Sequence, residues 1–231
     1  MSLPTLLTTL ENLVVEIALW IVLVPKTLIH LVLHPQAIPS LADATIDNRD
    51  THEQDEYVSP VLLWLIVGVL PGIPMITSEQ GPQWIAHALL GRLGIEGSIA
   101  AASTLLLLGP LSFAAAQSVV MRRPLGRSDL RRSFAIQCGC FAVVYLAYFS
   151  ALAANLQAVL TSYEWIYRPV AYGLMVCGIA WFVFAEFVVL RSEPGGRPAR
   201  ALAVMVLGVL AWLGLVVVSR LILLLMSVYY L

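Results

Sequence analysis

The chain has few charged residues and few cysteines. Only 12% of its 231 residues are Asp, Glu, Lys or Arg, and three are cysteines. Such a low charge content excludes an ordinary soluble domain. Cys138, Cys140 and Cys177 lack redox-motif spacing, so we expect buried side chains without disulfides. The formal net charge of -1 gives no indication of a nucleic-acid partner.

Common catalytic motifs are also missing. The sequence contains no HExxH, no GxSxG and no GxxxxGK[ST]. Ionisable residues are scarce in the middle of the apolar stretches, which argues against a proton-coupled carrier. We therefore predict a protein that is not an enzyme and that requires no cofactor.

Apolar residues, by contrast, are abundant. They make up 60% of the chain, and the mean hydropathy is +0.88. A bilayer core about 30 Å thick is crossed by roughly 20 apolar residues in a helix. Stretches that meet this requirement cover residues 58–76, 97–121, 134–160, 169–190 and 201–219, the last continuing past Arg220 to the C-terminus. The prediction is an all-α polytopic membrane protein with five transmembrane helices.

The N-terminal stretch 3–24 is long enough to span a bilayer, but it carries a polar stripe. This stripe comprises Thr5, Thr8, Thr9, Asn12 and Glu16 on one side of a helical wheel. Such a pattern favours an interfacial or partly buried helix, with a sixth span as the alternative. The predicted organisation is an N-terminal helical region (1–40), an acidic linker (41–57) and a transmembrane domain (58–231).

Arginines cluster in two connections between the predicted spans. The clusters are Arg122, Arg123, Arg127, Arg131 and Arg132, and then Arg191, Arg197 and Arg200. Since positive residues are retained in the cytoplasm, the N-terminal region is predicted to be cytoplasmic and the C-terminus to lie across the membrane. The excess of arginine over lysine suggests a bacterial source, and hence the inner membrane.

The linker 41–57 is rich in acidic residues. It contains Asp43, Asp47, Asp50, Glu53, Asp55 and Glu56. We expect a solvated, mobile cytoplasmic segment, or else one that docks on a basic partner or on the arginine-rich connection of the same chain.

Two histidines are candidate metal ligands. His30 and His34 are four residues apart and share a helix face with Lys26, between Pro25 and Pro35. The spacing allows a metal, but the lysine on the same face opposes it. An interfacial helix of two or three turns, with these side chains among headgroups or water, is the alternative.

Two charges and one small-residue face are candidates for interaction or packing. Glu186 lies near the cytoplasmic end of its span, where we expect it to meet loop arginines. Arg220 lies at the opposite face, where it reaches headgroups or Glu164. Ala147, Ala151 and Ala154 give the third span a face suited to close helix packing.

The sequence resembles the Yip1-like family of membrane proteins in its bacterial form. The resemblance rests on Leu33-His34-Pro35, Tyr57 to Pro60, Gly126 to Arg132, and Arg200-Ala201-Leu202-Ala203. It implies five spans and a scaffold role through contacts with other membrane proteins, and it brings no catalytic residues.

Two functions follow from these observations. The first is an accessory or scaffold subunit that binds other integral membrane proteins, or a second copy of itself, among membrane lipids. The alternative is a small transporter or channel subunit, with a polar path at Asn155 and Gln157 near the kinked first and second spans.

Overall fold

The computed structural model describes residues 19–47, 57–71, 94–122, 126–161, 163–193 and 197–229, and these residues contain helices and no strand. Helix α1 covers Leu19–Leu33, and a 3-10 turn at Pro35–Ala37 leads into α2, Ile38–Asp47. Helix α3 is Pro60–Trp64 and continues as a π-helical turn at Leu65–Val69. The long helices are α4, Gly94–Val120; α5, Arg127–Leu160; α6, Glu164–Ser192; and α7, Pro198–Tyr229.

Local sequence explains where these helices begin and end. The Ser59 hydroxyl accepts a hydrogen bond from the Leu62 N–H at 3.2 Å, and Pro60 occupies the first turn of α3. Arg122 follows α4 with a φ of 54°, the left-handed conformation that often ends a helix. Asp129 places a negative charge in the first turn of α5, where it stabilises the helix dipole.

Within the described ranges, three helices are long and apolar enough to cross a membrane, so the chain fits a helical membrane protein. They are α5, α6 and α7 over 127–155, 164–192 and 198–215. Helix α1 and the segment Pro35–Ile46 are long and apolar enough only when they are taken together. The chain bends by 112° between them, so they count as a fourth span only if the pair is one broken span. The five predicted spans are therefore not all confirmed, although the stretches 134–160, 169–190 and 201–219 are confirmed as helical, and 97–121 is helical as far as Val120.

Helix α5 is the centre of the arrangement. It packs against α6, α4, α3 and α2, whereas α7 packs mainly on α4. The most apolar stretch of α5 is 56% buried, whereas the corresponding stretches of α6 and α7 are 28% and 17% buried. Helices α6 and α7 therefore present broad apolar faces outward, as helices in contact with lipid do.

Aromatic rings fill the core between α4, α5 and α6. Phe113, Phe141 and Phe182 meet edge to face, with centroid distances between 5.1 and 5.4 Å. About two turns earlier along α5, Phe134 packs edge to face on Trp64 of α3 at 6.2 Å. These two groups of rings fix α5 against its neighbours.

The N-terminal part of the fold differs from the sequence-based prediction. Helix α1 runs through Pro25, so Pro25 does not begin a short helix as predicted. The predicted linker is wrong over 41–47, because these residues belong to α2 and bury Leu41 and Ala42 in the core. The polar stripe at 5–16 and the rest of the linker, 48–56, lie outside the described residues.

A buried polar layer as the candidate functional site

An ion triad ties three helices together at the end of the bundle where α5 begins and α6 ends, called here the Arg132 end. Arg132 of α5 donates from Nε and Nη2 to the two carboxylate oxygens of Asp43 in α2, at 2.5 and 2.9 Å. Its Nη1 donates to Glu193 Oε1, just after α6, at 2.8 Å. Since the arginine fork engages both acids, it sets the positions of α2 and α6 on α5.

The triad confirms one of the alternatives for the acidic segment. Asp43 docks on an arginine from the basic cluster of the same chain, which is one of the two forms of docking considered for the linker. The Glu193 side chain is only 2% exposed, whereas that of Arg132 is 25% exposed. Glu193 therefore depends on the guanidinium more than the half-exposed Asp43 does.

A second set of polar side chains lies deeper in the bundle, and we call it the polar layer. It consists of Gln117 on α4, Gln137 and Cys140 on α5, and Glu186 on α6, all of them fully buried. The Gln137 amide donates from Nε2 to Gln117 Oε1 at 3.4 Å, a long hydrogen bond. Counted along the helices, Gln137 is about 8 Å beyond Arg132 and Glu186 about 10 Å before Glu193, so the layer is level across α5 and α6.

A pair of serines lies between the polar layer and the Arg132 end. The Ser118 hydroxyl is 3.5 Å from that of Ser133, and both side chains are buried. Ser133, Gln137 and Cys140 are spaced by four and three residues, so they follow one face of α5. Polar side chains therefore continue along α5 from next to Arg132 to Glu186.

Several atoms of the polar layer have no hydrogen-bond partner among the described residues. They are both carboxylate oxygens of Glu186, Nε2 of Gln117 and Oε1 of Gln137. The Gln137 amide and the Cys140 thiol lie beside the Glu186 carboxyl group but are not in hydrogen-bonding geometry with it. Buried polar atoms are almost always paired in native proteins, so four unpaired atoms in one layer are unusual.

The expected role of Glu186 is wrong within the described part of the chain. The carboxyl group does not reach headgroups or a loop arginine; it points into the bundle and is fully buried. At this end of α6 an arginine is met instead by Glu193, which lies nearer the Arg132 end. The position of Glu186 along α6 gives its depth in the membrane. Its environment, however, is set by the side of the helix from which the side chain projects.

His30 and His34 lie together in the structure. Their rings stack with centroids 5.2 Å apart, and Tyr57 approaches His30 at 4.7 Å. The ammonium group of Lys26 lies 4.8 Å from the centre of the Tyr57 ring. No group of three or more His, Cys, Asp or Glu side chains that could hold a metal occurs in the part of the chain that the structure describes. The sequence did not indicate Tyr57 as the third ring of this cluster.

The alanine face of α5 is used for helix packing at two of its three positions. A Cβ on Gly178 of α6 would lie 2.7 Å from the Ala147 Cβ, so the backbones of α5 and α6 approach closely there. Ala151 is buried and Ala154 partly buried. Glu164 pairs with Arg168 at 3.0 Å, and the side chain of Arg220 lies outside the described residues.

The remaining polar and thiol candidates divide between the core and the surface. Cys138 and Cys140 are buried and free, as expected, but Cys177 is exposed on α6. Asn155 and Gln157, proposed for a polar path, are exposed near the end of α5. The polar layer instead contains Gln137, which the sequence analysis did not single out; its spacing from Ser133 and Cys140 was the available signal.

Comparison with known proteins finds no match to this chain among protein-family models, curated proteins or solved structures.

Proposed function

We propose that the chain is a non-enzymatic integral membrane protein that acts as an accessory or scaffold subunit. It binds other membrane proteins, or a second copy of itself, through its helices. The proposal includes five spans in a bacterial inner membrane, with the N-terminal region in the cytoplasm and the C-terminus across the membrane. The resemblance to Yip1-like proteins agrees with this role, and it remains a resemblance.

The observation that carries the proposal is a row of small residues on the outward side of α6. Gly173, Cys177 and Ala180 are spaced by four and three residues and are all exposed. A Cβ on Gly173 would meet nothing within 4 Å, whereas the buried Gly178 makes room for Ala147 of α5. Small residues at such spacing let the backbone of a second helix approach closely within a membrane. The outward row therefore repeats the small-residue pattern by which α6 packs on α5, and no described helix covers it.

We expect Gly173→Leu to reduce partner capture at least about tenfold, because the leucine side chain would hold a partner helix away from α6. The measurement is affinity purification of the tagged full chain from native membranes in mild detergent, with the recovered partner quantified by mass spectrometry. Gly214→Leu is the matched control, since Gly214 of α7 is also exposed with nothing within 4 Å.

The same purification distinguishes the possible outcomes. A constant ratio of one co-purifying membrane protein supports an accessory subunit, and a dimer or larger assembly of this chain alone supports a homo-oligomer. A monodisperse single chain that moves solute into liposomes, and loses that activity with Asn155→Ala and Gln157→Ala, would instead establish the transport alternative.

A further inference from the structure

We propose that Glu186, Gln137 and Gln117 form an intramembrane binding site for one small monovalent cation, taken up as a proton or as Na⁺. This site is separate from the outward face of α6, and partner binding does not depend on it. It assigns a ligand to the polar layer, which the scaffold function leaves without a role.

The buried charge of Glu186 requires a counter-charge or a proton. Its side chain is fully buried, and both of its oxygens have no hydrogen-bond partner among the described residues. Arg132, the cation of the neighbouring triad, is already engaged by Asp43 and Glu193. An isolated carboxylate in a low-dielectric interior is strongly disfavoured, and a bound cation or a proton removes that penalty.

Most of the unpaired atoms in the polar layer are of the kind that binds cations. Three of them are oxygens, the two of Glu186 and Oε1 of Gln137. Carboxylate and amide oxygens are the ligands that dehydrated alkali ions take in membrane proteins. One carboxylate balances a single positive charge, whereas a divalent ion would leave an uncompensated charge in the bundle. The unpaired Nε2 of Gln117 is a donor that can hold an acceptor atom of the layer in place.

Polar side chains connect Glu186 with one end of the bundle. The serine pair, Ser118 and Ser133, lies between the polar layer and the Arg132 end. Together with Gln137 and Cys140, Ser133 gives α5 a polar face that leads from Arg132 to the carboxyl group. Phe113, Phe141 and Phe182 fill the core between the same three helices with aromatic rings. A cation would therefore meet polar side chains from the Arg132 end and aromatic rings from the opposite end.

Among the described groups that surround the polar layer, Glu186 is the carboxylate, and it is therefore the residue that binds the ion. From α5, the Cys140 thiol is the ionisable group beside it. From α4, Gln117 contributes an amide, and the described side chains at 107–120 include no ionisable residue. From α7, the arginines Arg197 and Arg200 lie at its start, and no ionisable residue follows before Arg220. His34 flanks the 3-10 turn that packs on α6.

The test is the thermal stability of the purified full chain in detergent between about pH 5 and about pH 9, in sodium chloride or in choline chloride of equal ionic strength. In choline we expect the melting temperature to fall by about 5 to 10 °C toward high pH, because the folded state must release a proton and keep a buried charge. If Na⁺ is the ligand, sodium restores the loss; if the proton is the ligand, sodium has no effect.

Glu186→Gln is the decisive variant, because it keeps the shape of the side chain and removes the charge. Its melting temperature is expected to be flat across the same range and indifferent to sodium. Glu164→Gln is the matched control, since Glu164 is an exposed acid of the same helix and its loss should leave the wild-type response intact.

A second measurement does not depend on the variant folding. A hydrophobic carbodiimide modifies protonated carboxyl groups in apolar surroundings, and mass spectrometry locates the adduct in the wild-type chain. We expect labelling of Glu186 that declines several-fold as the pH rises, with protection by Na⁺ but not by choline if sodium binds. Equal responses of wild type and Glu186→Gln to pH and sodium would overturn the proposal. Labelling of Glu186 that changes with neither pH nor sodium would also overturn it.

Discussion

Arg132→Met is expected to lower the stability of the folded chain by about 2 to 3 kcal/mol. Methionine keeps the length of the side chain but removes the guanidinium, so Glu193 loses this partner while its side chain is 2% exposed. Asp43, which is half-exposed, loses a bidentate contact as well but can be solvated. The expected cost therefore comes mainly from the buried carboxylate. Thermal unfolding of the purified chain in detergent measures it.

Arg131→Met is the matched control for this prediction. Arg131 is the neighbouring residue on α5, is exposed, and undergoes the same chemical change. Its effect is expected to stay within about 0.5 kcal/mol. Adding Asp43→Asn and Glu193→Gln to Arg132→Met should recover part of the loss, because neutral amides need no cation. Equal melting temperatures for the two arginine variants would show that the triad does not hold α2 and α6 on α5.

Trp64→Ala is expected to cost about 3 to 5 kcal/mol, because it opens a cavity at the contact of α3 with α5. Trp64 is 2% exposed and packs in the main apolar cluster with its ring against Phe134. Its indole N–H has no hydrogen-bond partner among the described residues. Trp64→Phe removes that unpaired donor and keeps an aromatic ring, so we expect it to cost less than about 1.5 kcal/mol.

The control for the tryptophan series is Trp165→Ala. Trp165 lies in the first turn of α6 and is 74% exposed, so its loss leaves no cavity. Its effect on the melting temperature in detergent should be close to zero. If Trp64→Phe were as damaging as Trp64→Ala, the indole N–H would have a partner that the contacts described here do not include.

The long apolar stretches were predictable because hydropathy measures what a helix in a bilayer must satisfy. The prediction for α4 was 97–121, and the helix is Gly94–Val120. It was less accurate for α5, which begins at Arg127 and not at residue 134. Arginines continue a helix readily, so a hydropathy boundary marks the edge of the apolar stretch and not the end of the helix.

The acidic segment was misjudged for a related reason. Its acids dominated the composition, but Leu41 and Ala42 bury one side of α2 while Asp43 turns to Arg132. Apolar and charged residues alternate there with the period of a helix, and this periodicity outweighs average polarity.

The polar layer could not be predicted from the sequence, because it depends on the rotation of helices about their axes. Helix α6 is apolar on most sides, so nothing in its own sequence shows that Glu186 faces Gln137 rather than lipid or headgroups. Gln117 and Gln137 come together only through the packing of α4 on α5. Tertiary contacts of this kind leave no periodic signal in a single chain.

The exposed thiol of Cys177 allows the central claim to be tested in native membranes. Cys177 lies in the outward row of small residues on α6, whereas Cys138 and Cys140 are buried. A benzophenone attached to Cys177 is activated by light, and the products are separated by mass, with Cys177→Ser as the control. The account predicts one discrete protein adduct, either a second copy or a single partner, that is lost with Cys177→Ser and strongly reduced by Gly173→Leu. Complete labelling of Cys177 that yields only lipid adducts would contradict it.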